Sequence, residues 1–165
     1  MSGAFADVAG HEAAHATFAW RSPIAEVVSI TLPFEPHVQM NLRFAWNQDS
    51  REALIYVVGE LAEDPHLLDD LGRYRRRRTP DARSVLSACA IAGHCNGRGQ
   101  MYELEWLRFQ ALDLLEVWRD GIDRVALALA AHQHLDAAQL EDILGPQTLT
   151  VAPLAGELPE ARGGA

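Results

Sequence analysis

The chain has 165 residues, a length that fits one domain, and it is 48% hydrophobic and 22% charged, which is ordinary for a globular protein. Its 14 basic residues are opposed by 23 acidic ones, and the formal net charge of −9 argues against nucleic-acid binding. Two cysteines exclude a disulfide-rich scaffold, and no apolar run approaches the roughly 20 residues that span a bilayer. With no signal-peptide pattern, we expect a soluble cytoplasmic protein without a membrane segment.

The first 44 residues predict one helix followed by two strands. An Ala-rich stretch ends before Pro23 and predicts a helix over residues 4–20. Residues 24–32 are rich in β-branched side chains and residues 38–44 alternate strictly, so both stretches predict strands. Because residues 33–36 contain two prolines, we expect a turn there, with the strands forming a hairpin or lying side by side.

The rest of the chain predicts helices, and capping residues mark where several of them begin. Asp49 and Asp136 each open a capping-box pattern, and Thr79 precedes a proline that is typical of the first helical position. The predicted helices span residues 49–63, 66–71 (a single turn), 80–92, 100–118, 122–134 and 136–145. The fold class is therefore mainly α with a small β hairpin or sheet, forming one domain over residues 1–145 with a flexible tail over residues 146–165.

One motif specifies chemistry: His11-Glu-Ala-Ala-His15, an H-E-x-x-H pattern within the first predicted helix. Residues four apart lie on the same face of a helix, so both imidazoles can bind one metal ion. Zn²⁺ lowers the pKa of a bound water towards 7, and Glu12 is placed to accept its proton as the water attacks a peptide carbonyl. The pattern predicts a zincin-like metallopeptidase domain whose third zinc ligand comes from elsewhere in the chain.

Four segments of the chain resemble, in order, the peptidase domain of FtsH-type ATP-dependent zinc proteases. Residues 11–20 are similar to the family's HEAGHA helix, and residues 27–33 to the V-x-K-V-T-I-x-P strand that follows it. Residues 57–63 resemble the next helix, with its G-x-x-A-E pattern, and residues 127–144 resemble the closing helix pair. The resemblance covers most of residues 8–145, and the zinc helix is its most specific part.

The resemblance implies that Asp81 is the third zinc ligand. The family's aspartate ligand lies at the start of a helix after the G-x-x-A-E segment, within an N-D-L pattern that is Pro-Asp-Ala in this chain. An aspartate in the first turn of a helix is also explained by the helix macrodipole. Glu63, Asp69 and Asp70 are the alternatives, and Ala14 replaces the glycine of the family's zinc helix.

The resemblance also implies a polypeptide substrate and assembly into homo-oligomers. Because the sequence shows no ATPase module, we expect cleavage of peptides or unfolded segments, or a separate ATPase partner that delivers substrate. Residues 27–32 are expected to offer a strand edge to which an extended substrate adds by backbone pairing. The alternative function is a zinc-binding regulatory or subunit module without protease activity.

Two further clusters of potential ligands have structural explanations. Cys89, His94 and Cys95 surround a predicted helix end, but their spacing is not that of a structural zinc site. His132 and His134 lie near a helix C-terminus, where the helix dipole favours imidazoles, so capping or surface exposure explains them.

The sequence also contains an arginine run and a long predicted helix with several aromatic side chains. Arg73 and residues 75–78 are interpreted as a solvated loop, with a docking patch or a loop that binds acidic substrate groups near the active site as alternatives. Nucleic-acid binding is disfavoured because no aromatic ladder accompanies the run. The apolar residues of the long helix are expected to form core or an oligomer interface; they are Trp106, Phe109, Leu114 and Val117.

Overall fold

The computed structural model describes residues 3–32, 36–42, 50–92 and 97–147. Within these ranges it has seven helices and one three-stranded antiparallel sheet, which confirms the mainly α fold with a small sheet. The helices are α1 Gly3–Arg21, α2 Ser50–Glu63, α3 Leu71–Tyr74, α4 Pro80–Ala92, α5 Gly97–Val117, α6 Arg119–His132 and α7 Ala137–Leu144. The strands are β1 Ala25–Thr31, β2 His37–Leu42 and β3 His134–Asp136. Of the flexible tail predicted over residues 146–165, residues 148–165 lie outside the described residues.

Two of the predicted caps are formed as the sequence indicates. Thr79 caps α4, since its Oγ1 accepts a hydrogen bond from the amide of Ala82 at 3.2 Å. Asp136 and Gln139 form the complete capping box at the start of α7. The third predicted cap, Asp49 before α2, lies outside the described residues.

The strand β3 was not predicted, because its residues were assigned to the end of a helix over residues 122–134. That helix, α6, ends at His132 because Gln133 adopts a left-handed conformation with φ of 61°. The three residues that follow pair with β1. Because β3 pairs with a strand more than 100 residues earlier in the sequence, its three residues contain no local pattern that predicts a strand.

Two helix boundaries in the second half also differ from prediction. The single turn predicted over residues 66–71 lies later, as α3, where Asp70 caps the first residues. The break expected at Asp120 and Gly121 falls instead at Trp118, and both residues lie within α6. Gly121 is buried, and a Cβ on it would lie 3.2 Å from Leu144, so its lack of a side chain serves the packing of α6 against α7.

The order of the strands is β2-β1-β3, so β1 is central. It pairs with β2 from Ala25 to Thr31, and residues 29–31 pair with β3 on the other side. The amide of Leu32 also donates to the carbonyl of Gln133. The prediction of a free substrate edge over residues 27–32 is therefore wrong over residues 29–32. Among the described residues, β2 is the strand that pairs on one side only and borders α1, the helix that carries the H-E-x-x-H motif.

Helix α1 lies at the centre of the domain, packed against α2, α6 and the sheet. Its buried small side chains allow close approach of its neighbours; they are Ala9, Ala13, Ala14, Ala16 and Ala19. At its C-terminal end Trp20 donates a hydrogen bond to the carbonyl of Gly145 at 2.8 Å. The core thus fixes the helix that carries the H-E-x-x-H motif. No helix in the described part of the chain has the length and apolar character needed to cross a membrane.

Helix α5 buries a different face from the one expected. Its fully buried residues are Leu104, Leu107 and Ala111. Trp106 is 42% exposed, Phe109 57% and Val117 72%, whereas Leu114 packs partly against the core. The core interpretation is therefore wrong for the three exposed residues, and the oligomer interface stays a prediction.

Candidate metal centre

The two histidines of the H-E-x-x-H motif meet on one face of α1. His11 and His15 are one helical turn apart, so their side chains project in the same direction. Their Nε2 atoms are 2.9 Å apart, and the rings meet edge to face with centroids 4.5 Å apart. Because His15 is buried and His11 is half-buried, the pair lies where the core borders a cleft.

Asp81, near the start of α4, completes a three-residue cluster with these histidines. Its Oδ2 lies 3.1 Å from Nε2 of His11 and 3.4 Å from Nε2 of His15. A zinc ion with tetrahedral bonds of about 2.0–2.1 Å separates its ligand atoms by about 3.3 Å. The three interatomic distances are close to that separation, so the cluster can hold a single metal ion.

The backbone of α2 fixes the tautomer of His15. Nδ1 of His15 donates a hydrogen bond to the carbonyl oxygen of Ile55, so Nε2 of the neutral ring carries a lone pair. That lone pair faces Nε2 of His11 and Oδ2 of Asp81. Three electron-rich atoms that face one point need a proton or a cation between them, which suits this donor set to a divalent metal.

Gly59 on α2 makes room for the imidazole of His15. A Cβ on Gly59 would lie 2.6 Å from Cε1 and 2.8 Å from Cδ2 of that ring, closer than real Cβ atoms approach other atoms. A larger side chain would therefore displace the ring. Because Gly59 lies one turn after Ile55, a single face of α2 both accommodates the ring and receives its hydrogen bond.

The other side of His11 faces a carboxylate. Glu63, the last residue of α2, places Oε1 3.1 Å from Nδ1 of His11, within ion-pair distance although outside hydrogen-bond geometry. The negative charge of a carboxylate in this position increases the basicity of the imidazole. Glu63, one of the alternatives for the third ligand, therefore lies behind the ring of His11 and is not part of the three-residue cluster.

The ionisable side chains of the cluster shift each other's pKa values. Burial alone would raise the pKa of Asp81, but the hydrogen bonds and charges of His11 and His15 outweigh it and hold that pKa well below its usual range. Burial lowers the pKa of His11. Its hydrogen bond with Asp81 and the charge of Glu63 together raise that pKa by more than burial lowers it, so the net shift is upward. The carboxylates of Asp81 and Glu63 therefore favour the protonated form of the His11 ring, as they would favour a cation at the same place.

Glu12 lies beside the cluster in the wall of a cleft of about 500 Å³. The residue is 7% exposed, and burial raises its pKa although the charges of His15 and His11 oppose the shift. The cleft is also lined by the three-residue cluster and by apolar groups of β2, among them Val38 and Met40. A buried carboxylate with a raised pKa beside a cleft is suited to accept a proton.

A buried carboxylate ties the segment before Asp81 to α2. Glu60 is 2% exposed and accepts hydrogen bonds from the hydroxyls of Tyr74 at 2.6 Å and Thr79 at 2.8 Å. Nε of Arg77 lies 3.3 Å from the same carboxylate. Burial, together with the adjacent carboxylate, raises the pKa of Tyr74 far above its usual range, so the phenol stays a donor. Because Thr79 also caps α4, Glu60 anchors the helix end that carries Asp81.

The two remaining alternatives for the third ligand lie away from the cluster. The carboxylate of Asp69 pairs with the guanidinium of Arg108 on α5. Asp70 caps α3 by accepting a hydrogen bond from the amide of Arg73 at 2.8 Å. Both carboxylates have structural partners, and Asp81 is the residue that the fold brings to the two histidines.

The other histidines and cysteines named from the sequence form no second metal cluster among the described residues. Cys89 is buried in α4, and burial together with the charge of Glu103 raises the pKa of its thiol to about 12. His94 and Cys95 lie outside the described residues.

His132 and His134 are both exposed, as the surface interpretation predicted. His132 is the last residue of α6, near the negative end of the helix dipole. His134 lies in β3, where its Nδ1 is 2.8 Å from the hydroxyl of Thr31 in the neighbouring strand. A cross-strand hydrogen bond therefore accounts for its polar contact.

The contribution of α2 to the site was missed from the sequence. The position of Gly59 inside an otherwise favourable helix could have indicated its role, because a glycine in a helix often marks close packing. Glu60, a charge surrounded by apolar residues, was a signal for a buried polar partner. The carbonyl of Ile55 left no signal, since every residue has one.

No protein-family model matches the chain, and a search of curated proteins finds no match to it. Its function is therefore inferred from the site, in which two imidazoles and a carboxylate converge beside a buried glutamate.

Proposed function

We propose that the chain is a zinc-dependent metallopeptidase of the type found in the peptidase domain of FtsH-type proteases. The supporting observation is that Nε2 of His11, Nε2 of His15 and Oδ2 of Asp81 all lie within 3.4 Å of one another, beside Glu12 in a cleft. Catalytic zinc sites use three protein ligands of these types and leave a position for water or substrate. His11, His15 and Asp81 would hold the ion.

The chemistry divides between the ion and the residues around it. When bound, zinc acts as a Lewis acid that makes water acidic and polarises a carbonyl group. The carboxylate of Glu12 accepts the proton of the attacking water and returns it to the amine that leaves when the peptide bond breaks. The hydrogen bond from His15 to Ile55 holds its ring in place during these steps.

The edge of β2 supports an extended polypeptide as the substrate. In the described part of the chain this strand pairs only with β1, and Val38 and Met40 line the cleft. An extended peptide can add to such an edge through backbone hydrogen bonds while its side chains occupy apolar parts of the cleft. We therefore assign the substrate-binding edge to β2 and not to β1, where it was expected.

Glu12→Gln tests the proposal, because it removes the proton acceptor and leaves all three metal-binding side chains intact. We expect the variant to keep its zinc while cleavage of unfolded casein falls by about 10²–10⁴-fold. Glu105→Gln, on the exposed surface of α5, is the matched control and should cleave casein as the wild type does. Unchanged cleavage by Glu12→Gln would contradict the assignment of the base.

The alternative, a zinc-binding subunit without protease activity, is less well supported. A structural zinc site usually has four protein ligands, whereas three residues form the cluster in the described part of the chain. A peptide hydroxamate, which binds zinc only where a coordination position is open, distinguishes the two functions. We expect it to bind the zinc-loaded protein and inhibit cleavage, and absence of both effects would favour the subunit.

A further inference from the structure

Five arginines lie in residues 73–78, which run from the second half of α3 to the cap of α4, and the structure divides them between two roles. Arg77 turns inward, with its Nε 3.3 Å from the buried carboxylate of Glu60. The other four are exposed, and no carboxylate among the described residues lies within ion-pair distance of them. These four form the arginine patch: Arg73, Arg75, Arg76 and Arg78.

The arginine patch contrasts with the charge of the chain as a whole. Acidic residues outnumber basic ones by 23 to 14, so carboxylates are abundant on the surface. Arg108, for example, pairs with Asp69. Salt screens charges over about 8 Å at physiological ionic strength, so neighbouring guanidinium groups act together on an approaching anion. The patch is therefore a local concentration of positive charge that has no carboxylate partner among the described residues.

One end of the arginine patch, at Arg78, lies next to the cleft that contains the three-residue cluster. Arg78 lies two residues before Pro80, which lines that cleft, so their Cα atoms are at most about 7.6 Å apart. Hydrogen bonds from Tyr74 and Thr79 fix both ends of the segment to Glu60. The patch is thus held in a defined place beside the cleft.

We propose that the arginine patch binds acidic segments of a polypeptide and delivers the neighbouring residues to the cleft. Guanidinium groups bind carboxylates through paired, charge-assisted hydrogen bonds. The cleft itself is lined by carboxylates, Glu12, Glu63 and Asp81, which repel an acidic chain. The acidic stretch therefore binds outside the cleft, and a neutral stretch beside it enters. The role in substrate delivery rests on the proposed peptidase function, whereas binding of the acidic segment does not.

An acidic polypeptide fits the arginine patch better than a single-stranded nucleic acid does. Proteins that bind single strands combine positive charge with exposed aromatic side chains on which the bases stack. The aromatic residue within this segment, Tyr74, is buried and donates its hydroxyl hydrogen to Glu60. The patch therefore offers charge without a stacking surface.

The test measures the binding of a fluorescein-labelled peptide, rich in Glu and Asp, to the Glu12→Gln protein by fluorescence anisotropy. A Ser/Gly peptide of equal length is the neutral control. The patch variant changes three exposed arginines to glutamine, and the control variant changes three exposed arginines of α5 and α6. The substitutions are R75Q, R76Q and R78Q in the patch variant, and R98Q, R119Q and R124Q in the control variant.

We expect the patch variant to bind the acidic peptide at least about tenfold more weakly than its parent, and the control variant to bind it within about twofold. Added salt should weaken binding of the acidic peptide to the parent protein and leave the neutral peptide unaffected, a result that needs no arginine variant. Equal affinity for the two peptides, or equal losses in the two variants, would overturn the proposal. Tighter binding of a single-stranded oligonucleotide than of the acidic peptide would also overturn it.

Cleavage provides a separate readout. A wild-type protein that binds the acidic peptide without cleaving any peptide would support the patch and contradict the proposed peptidase function. A wild-type protein that cleaves peptides with and without an acidic extension at the same kcat/KM would contradict the role of the patch in substrate delivery.

Discussion

Gly59 of α2 and His15 of α1 are fitted to each other, since the ring of His15 occupies the space where a Cβ of residue 59 would lie. The same ring donates a hydrogen bond to the carbonyl of Ile55, one turn earlier in α2. The orientation of one side chain of the candidate metal centre is therefore set by the shape and the backbone of the neighbouring helix.

Gly59→Ala should weaken zinc binding by about 10–100-fold, the effect typical of losing the group that orients a metal ligand. Helix propensity alone favours alanine by up to about 1 kcal/mol, so weaker zinc binding would reflect displacement of His15. Competition with a chromophoric chelator measures the affinity. Gly10→Ala on α1 is the matched control, because a Cβ there meets nothing within 4 Å. An unchanged zinc affinity in Gly59→Ala would contradict the fit.

Thr79→Val should lower both the stability and the zinc affinity of the protein. The Thr79 hydroxyl donates to Glu60 and accepts from the amide of Ala82, so valine removes a cap and leaves a buried carboxylate short of one donor. We expect a loss of about 1–3 kcal/mol in the free energy of unfolding, measured by urea denaturation. Thr79→Ser keeps the hydroxyl and should restore both properties. A loss of stability with full zinc affinity would show that the hydroxyl does not position Asp81.

Protonation of His11 should stabilise the metal-free protein at mildly acidic pH. Despite burial, the partners of His11 raise its pKa above the ordinary 6.5, so the folded state binds the proton more tightly than the unfolded state. The stabilisation is complete below pH 6.5 and is lost as the pH rises through the raised value. With zinc chelated, the difference in unfolding free energy between wild type and His11→Gln should shrink as the pH rises. A difference that is independent of pH would refute this linkage.

The thiol of Cys89 should stay unreactive while the protein is folded. Burial and the charge of Glu103 raise its pKa to about 12, so almost none is thiolate near neutral pH. In a Cys95→Ser background, where Cys89 is the remaining cysteine, iodoacetamide should label the protein only after denaturation. Rapid labelling of the native protein would show that α4 does not bury this side chain.

The parts of the site that depend on local spacing could be predicted from the sequence, and the parts that depend on long-range packing could not. His11, Glu12 and His15 follow from one helical turn. Asp81 is 70 residues from His11, and nothing local separates it from other aspartates in the chain, so it was identified by family resemblance alone.

The features that could not be predicted from the sequence also depend on packing between distant segments. Gly59 and Glu60 gain their roles only when α2 lies against α1 and the segment before α4. In the same way, β3 forms because the fold brings residues 134–136 beside β1. Periodicity within one segment contains no information about such partners.

The zinc content of four proteins, wild type, His15→Ala, Asp81→Ala and Asp69→Ala, tests the metal centre most directly. After dialysis against a trace of free zinc, elemental analysis should find one zinc per chain in wild type and in Asp69→Ala, whose carboxylate pairs with Arg108 on the surface. His15→Ala and Asp81→Ala should each retain far less than one zinc, since each loses a ligand of the three-residue cluster. Full zinc content in Asp81→Ala, or none in the wild type, would contradict the assignment of His11, His15 and Asp81 as a metal site.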